Sequence, residues 1–538
     1  MPSFPGSKIR ASVERSLGTH CARVACVDQY KNKWLIAIAV TLGSVIELID
    51  TSIVNVALPH MSANLGATLD EVTWVAVGYI LSSVIILPMT GWLAAFFGRT
   101  QYYVGSIVIF TISSFFCGAA HSLVGLVFWR IMQGVGGGAL IATSQSILYE
   151  AFPPTEQTLA AAVFGIGMML GPAIGPTLGG YIVDRYEWPW IFYINLPIGF
   201  IAAILSLAFV PAKPKQTTLG PFDFLGFVLL TIGLGSLQFV LERGEHYDWF
   251  ESTLIRWLTV VASVGLVAFI VWELYTDHPV IRLRLLRHRS LAAGVLIMAG
   301  VGVALYGSVF ALPQLTQNVL GYDATTTGLV MLPGAIGAAI AMFAVARIPR
   351  SVDLRLVSAT GGVILVISMY MHGSLSMQIS EGTLFWPVFL RGIGVGFMFV
   401  PVAASTVAGL RGNDLAEGSA MFNLSRQLGG SFGLAFLATK VATGIDLHRS
   451  ALVAHVAVGA PRTQRYLQAM AAVARAHGAD PYTATRKAHA MLDNMVNAQA
   501  LMLTYNQIFK LVGIIVVCII PLILLQRKPT GGAGAPAH

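Results

Sequence analysis

The sequence predicts an all-α integral membrane protein with about 14 membrane-spanning helices. Of its 538 residues, 56% are hydrophobic and only 11% charged, whereas an ordinary soluble domain carries about 25% charged residues. The charges cluster between long apolar runs. Those runs reach the ~20 residues that a helix needs to cross the hydrocarbon core. A soluble multidomain enzyme is thereby excluded.

The apolar runs place spans at 34–58, 71–94, 101–120, 123–148, 158–183, 190–210, 222–241, 256–274, 291–315, 325–346, 355–376, 383–407, 417–441 and 503–525. "DRYEWPW" separates the fifth span from the sixth. Residues 1–33 carry six Lys/Arg and neither an apolar core nor a small-residue cleavage site, so they read as a cytoplasmic tail. Cys21, Cys26, Cys117 and Cys518 form no disulfide framework and are too sparse for a zinc site. The net charge of +8 matches Lys and Arg on cytoplasmic loops, with no need for a nucleic-acid partner.

Positive charge sets the orientation. With the N-terminus inside, the inner loops hold Arg99, Lys213, Lys215, Arg282, Arg284, Arg287, Arg289, Arg347, Arg350, Arg355 and Arg411, while the short outer loops hold Arg185 and Arg243. An even number of spans returns the C-terminal tail, 526–538, to the cytoplasm. Residues 442–502 form the one long outer loop. Within it "TQRYLQAMAAVARAHG" reads as a short amphipathic helix, and Asp480 followed by Pro481 reads as the start of a second helix that runs toward the last span.

Ionisable groups inside spans are expensive and mark function. "VIELIDTSIVNVALP" puts Glu47 and Asp50 three residues apart in the first span, on one helix face. Burial and mutual repulsion favour protonation of such a pair, which makes it a candidate proton-coupling site. Arg130, with Gln133 one turn on, opens the fourth span. Its guanidinium stays charged, so it either tunes a carboxylate or snorkels to the interface. "GMMLGPAIGPTLGG" spaces Gly167, Gly171, Gly175 and Gly179 at four-residue intervals beside Gly180. That stripe admits a neighbouring backbone, and Pro172 and Pro176 favour a bend, so the segment is a candidate gate. Gly91, Gly98 and Arg99 form an inner turn. "RIMQGVGGGAL" at 130–140 has an echo in "RGIGVGFMFV" at 391–400, the weak internal symmetry of a transporter built from two halves. The halves are then 34–210 and 291–525, with two additional spans and their linkers in 211–290. There is no phosphate-binding loop, nucleophilic triad or histidine cluster, so neither a cofactor nor catalysis is expected.

Together, "LIDTSIVNVALP", "RIMQGVGGG", "GPAIGPTLGG", "WIFYINLPIG" and "NLSRQLGGSFG" resemble the major facilitator superfamily, and within it the 14-span drug:proton antiporters of the EmrB/QacA type. "ELID" and the long outer loop favour the EmrB-like branch. The resemblance covers about residues 34–525. It implies a major facilitator fold with two six-helix halves and two extra central spans. It also implies a proton-driven exporter of lipophilic or amphiphilic compounds that works by alternating access in the inner membrane. Asp50 and Arg130 then matter for coupling, and the glycine stripe is the antiporter motif. A periplasmic adaptor and an outer-membrane channel are the implied partners. The family's inner-turn motif usually carries an Asp where this chain has Ala95, so the inner latch must be weaker or differently built. A metabolite facilitator would share the fold. A membrane-embedded enzyme or receptor would need a catalytic cluster or soluble domain that the sequence does not show.

Overall fold

The computed structural model describes residues 32–212, 222–349, 352–456, 460–523 and 526. The N-terminal tail with Cys21 and Cys26, Lys213, Lys215, Arg350 and almost all of the C-terminal tail lie outside the described residues.

Among the described residues, 14 helices are long and apolar enough to cross a membrane. They are α1 (Lys33–Leu65), α2 (Leu69–Phe97), α3 (Arg99–Gly118), α4 (Leu123–Ala151), α5 (Gln157–Arg185), α6 (Trp190–Phe209), α7 (Phe224–Arg243), α8 (Thr253–Tyr275) and α9 (Arg289–Asn318). The series continues with α10 (Ala324–Ala346), α11 (Leu354–His372), α12 (Glu381–Thr406), α13 (Asn413–Ala454) and, after a short helix α14 (Pro461–Ala476), α15 (Pro481–Ile523). Helix starts are fixed by side-chain caps. Thr68 and Glu71 form a reciprocal capping box at α2, Ser122 caps α4, and Asp323 accepts from Thr326 N at α10. At α15, Asp480 accepts from Thr483 N and Tyr482 N, as the sequence suggests, and these bonds hold its carboxyl below the usual carboxylate range.

The packing repeats. In α1–α6 the first helix packs on the fifth and sixth, and the fourth packs on the second and third; α9–α13 with α15 shows the same scheme, first on fifth and sixth, fourth on second and third. The two six-helix halves meet where α5 packs on α10 and α12, and where α2 and α4 meet α13. The additional pair lies beside this seam. α7 packs on α2 and α13, and α8 packs chiefly on α7 and is mostly exposed. At the end that the charge pattern assigns to the outside, Arg243 of α7 holds Asp70 at 2.6 Å and bonds Thr73, while Gln238 bonds Ser431 of α13 at 2.7 Å. α7 therefore bridges the halves.

The glycine stripe of α5 faces α1 along its length. A Cβ at Gly167 would lie 2.6 Å from Thr41 Cγ2, one at Gly171 2.8 Å from the Leu48 carbonyl carbon, one at Gly175 2.8 Å from Ser52 Cβ, and one at Gly179 2.8 Å from Ile53 Cγ1. Gly180 is buried beside them. The helix continues through Pro172 and Pro176. Ser52 Oγ donates to the Gly171 carbonyl at 3.1 Å, so α5 presents backbone directly to the helix that carries Glu47 and Asp50.

Among the described residues, most of 442–502 is helical. α13 runs on to Ala454 and α15 begins at Pro481, so both spans continue as helices beyond their apolar stretches, with α14 packed on α15. The α13 projection is about 20 Å long at 1.5 Å per residue. Arg449 ties the two projections together through Asp493 and Asn497, both at 2.7 Å. A hydropathy ruler finds only the part of a helix that lies in lipid, which is why the polar continuation reads as a loop.

Gly171→Leu is expected to destabilise the protein by roughly 1–3 kcal/mol or more, because the side chain meets α1 backbone that cannot yield. Gly105→Leu is the control, since a Cβ at Gly105 meets nothing within 4 Å. Thermal unfolding of the purified variants compares them, and equal melting would show that the stripe is not a close contact.

Candidate functional site

Asp50 lies in the middle of α1 and is completely buried inside the first half. Its Oδ2 accepts from Arg130 Nη1 of α4 at 2.6 Å. Its Oδ1 accepts from Gln133 Nε2 at 3.0 Å and from Asn195 Nδ2 of α6 at 2.9 Å. Arg130 and Gln133 stand three residues apart on one face of α4, so both reach the same carboxylate. Arg130 Nη1 also donates to Gln133 Oε1 at 2.8 Å, and Nε donates to the Val75 carbonyl at 2.9 Å. The guanidinium carbon sits 4.4 Å from the centre of the Tyr79 ring and 5.6 Å from that of Phe192. With 1% of Arg130 exposed, snorkelling to the headgroups is ruled out. Ser114 extends the network, accepting from Asn195 Nδ2 at 3.0 Å and donating to the Phe192 carbonyl at 2.9 Å.

Asn195 and Ser114 were not visible as site residues from sequence. Asn195 is the strongly polar residue inside the quoted "WIFYINLPIG", and a search for amide side chains within spans would have found it.

Glu47 shares the helix with Asp50 but looks elsewhere. It lies one turn toward the inner end and faces the seam, next to Tyr79 of α2 and within the field of Arg426 on α13. Its carboxylate and the Tyr79 hydroxyl are both buried and face each other. Arg426 is buried and donates from Nη1 to the Tyr306 hydroxyl of α9 at 2.5 Å. The first carboxylate is therefore saturated with donors inside one half, while the second is buried against Tyr79, within the field of Arg426 across the seam.

The inner turn has its own arrangement. Gly98, with φ at 87°, ends α2 and turns the chain into α3. Arg99 pairs with Glu150 at the foot of α4 at 2.6 Å. Ala95 is buried and supplies no charge. A carboxylate stands one turn away instead. Glu417 of α13 packs against Gly91, which has room for it only because it lacks a side chain. Glu417 accepts from Arg282 Nε at 2.9 Å and Nη2 at 2.9 Å, and from Asn413 Nδ2 at 2.8 Å; Arg282 also pairs with Asp414 at 2.9 Å. Arg282 belongs to the linker after α8. Further up the seam, Asn423 donates to Gln145 at 2.6 Å and Gln427 to Ser83 at 3.3 Å. The inner halves of α2, α4 and α13 are thus joined by polar bonds. Among the described residues, no group of His, Cys, Asp and Glu is placed to hold a metal ion.

Arg130→Ala is expected to cost about 3–5 kcal/mol of stability, because it leaves a buried carboxylate without its counter-charge. Arg130→Lys restores the charge but cannot serve Asp50, Gln133 and Val75 together, so it should melt between wild type and Arg130→Ala. Equal melting of Arg130→Lys and wild type would reduce the fork to a point charge.

The sequence matches the Major Facilitator Superfamily over residues 40–434. It is 32% identical to the multidrug export protein EmrB of Escherichia coli K12 over 507 residues, which covers 94% of this chain and 98% of the relative. It is 31% identical to the fatty acid resistance protein FarB of Neisseria gonorrhoeae over 502 residues, covering 93% and 97%. Among solved structures, the human organic anion transporter MFSD10 superposes with a TM-score of 0.54 at 14% identity, over 90% of this chain and 99% of that one; this likeness concerns the fold. The chain is a multi-pass membrane protein that belongs to the major facilitator superfamily, in the EmrB-like branch of its 14-span transporters.

Proposed function

We propose that this protein is a proton-driven exporter of lipophilic or amphiphilic compounds that works by alternating access in the inner membrane, with both termini in the cytoplasm. One observation carries the reading: a fully buried Asp50–Arg130 pair at the core of a membrane-spanning half, one turn from a second buried carboxylate, Glu47. A static scaffold has little use for such a pair, because hydrophobic replacement of buried ion pairs is often neutral or stabilising. A carrier uses it. A proton that reaches Glu47 Oε2 or displaces Arg130 from Asp50 changes the charge held against α4, α6 and α13. One elementary charge crossing 100 mV supplies ~2.3 kcal/mol toward that rearrangement. The names of the relatives, multidrug export and fatty acid resistance, support cargo that is lipophilic and chemically varied.

The supporting parts have assignable roles. The α1–α5 contact, with glycine backbone at Gly171 and Gly175, lets α1 shift against α5 without disturbing side-chain packing. The Arg282–Glu417 clasp under Gly91 takes the place of the latch that Ala95 cannot make, and it draws the linker of the additional pair into the inner closure. The α13–α15 projection offers a rigid helical surface for a periplasmic adaptor, which in turn meets an outer-membrane channel.

Reconstitution in liposomes with an imposed proton gradient tests the central reading. Wild type should accumulate lipophilic probes against their gradient. Asp50→Asn should drop to the rate of protein-free liposomes. Because Asp50→Asn leaves Arg130 uncompensated, the Asp50→Asn, Arg130→Gln double variant is the firmer test: it removes both charges and should permit downhill exchange only. Uphill export by the double variant would exclude Asp50 as a coupling group. A metabolite facilitator would instead show downhill movement of one compound in the wild type itself.

Replacing residues 461–476 with a short Gly/Ser linker tests the projection. Proton-driven transport in liposomes should survive, while drug resistance in cells with an outer membrane should fall. Equal loss in both settings would place α14 inside the transport path.

A further inference from the structure

The echo of "RIMQGVGGGAL" in "RGIGVGFMFV" has a structural counterpart with one partner missing. Arg130 stands in the fourth helix of the first half and Arg391 in the fourth helix of the second. Both are buried, with 1% and 6% exposed. Arg130 has Asp50, whereas Arg391 Nη1 donates to the Ser308 carbonyl of α9 at 3.2 Å. No carboxylate lies within the surrounding spans. From 289 to 349 the chain has one acid, Asp323, which caps the outer end of α10. α11 has none, α12 has Glu381 at its first residue, and α5 has Asp184 one residue before its end. Arg391 is ten residues along α12 from Glu381, about 15 Å by helix rise. An uncompensated buried cation is strongly unfavourable, so the fold carries a charge that something else must balance.

Space for a partner lies beside it. A chamber of about 40 Å³ is lined by Arg391 and Val395 of α12, Leu305 of α9, Met331 and Gly334 of α10, and Pro172 of α5. A Cβ at Gly334 would stand 3.3 Å from Arg391 Nη2, so the bare glycine keeps that side of the fork open. Apart from the guanidinium, these side chains are apolar. A water needs ~10–15 Å³ of such space, so the chamber takes a group somewhat larger than one water, of halide or carboxylate size. Met169 and Pro172 come from the first half and the other walls from the second, which puts the chamber across the seam.

We propose that Arg391 heads a binding site for a compact monovalent anion, either chloride or the carboxylate of an amphiphile, in the chamber between α5, α9, α10 and α12. The anion supplies in the second half the negative charge that Asp50 supplies in the first. Bound there, it holds α5 against α9, α10 and α12, and separation of the halves exposes it. A carboxylate forms two parallel bonds with the fork, and a charge-assisted pair in an apolar site is strong. The carboxylate arm rests on the export reading given above; the site itself does not.

Thermal unfolding of the protein in lipid nanodiscs tests this without any transport step. Wild type is titrated with sodium chloride against sodium gluconate at equal ionic strength, gluconate's polyhydroxylated chain being incompatible with the apolar walls, and with decanoate against decanol. Chloride, decanoate or both should raise the midpoint saturably, and the anion that acts identifies the source. Arg391→Gln should weaken the acting anion by about tenfold or more. Val395→Glu keeps the guanidinium and places a carboxylate one turn along the same face. It should fold well and lose the anion response, which covers the case in which Arg391→Gln misfolds. No response to either anion in wild type, or an undiminished response in Val395→Glu, would overturn the proposal. Absence of uphill export in liposomes would remove the transport reading and leave this binding result standing.

Discussion

Everything in the first half is arranged around one ion pair that water cannot reach. Asp50 and Arg130 face each other at 2.6 Å with essentially no exposure. In such surroundings each charge is tolerable only while the other is present and the remaining donors are used. That requirement places the neighbours. Gln133 and Asn195 occupy Asp50 Oδ1, the Val75 carbonyl takes Arg130 Nε, and the Tyr79 and Phe192 rings flank the guanidinium. Four helices, α1, α2, α4 and α6, are thereby fixed to a single point. The network makes Asp50 the one point at which a change of charge would act on all four helices together.

The position of α1 converts that local event into one felt at the seam. The glycine stripe of α5 brings backbone against one side of α1. Three residues before Asp50, Glu47 faces Tyr79 and Arg426. One helix therefore links the interior of the first half to the surface of the second. At the inner end a different set of charges holds the halves together, with Glu417 against Gly91 and Arg282 clasping it from the linker after α8. The additional pair is more than a lipid-facing insert. α7 holds Asp70 and Ser431 at its outer end, and its linker holds Glu417 at the inner end. The additional pair and its linker therefore join α2 to α13 at both ends.

The number, order and approximate limits of the spans were legible in the sequence because crossing hydrocarbon imposes a length and a composition that need no neighbours. Asp50, Arg130 and Gln133 were legible for the same reason, since polar groups at that depth are too costly to be incidental. The glycine spacing in α5 announced a close contact, though not with which helix. The cap at Asp480 was readable because capping is local.

What the chain could not reveal alone is which group meets which. The carboxylates at 47 and 50 look equivalent in sequence; only packing sends one to Arg130 and Asn195 and the other to the seam. The Ala95 position suggested a missing charge, but the carboxylate is delivered from Glu417, more than 300 residues away. The polar continuation of α13 and α15 read as a loop because hydropathy is blind to helices outside lipid. In each case the deciding quantity is a distance between residues far apart in the chain. Local physics determined the helices and the charges they carry, and tertiary structure alone decided that Arg130 meets a carboxylate while Arg391 meets the Ser308 carbonyl.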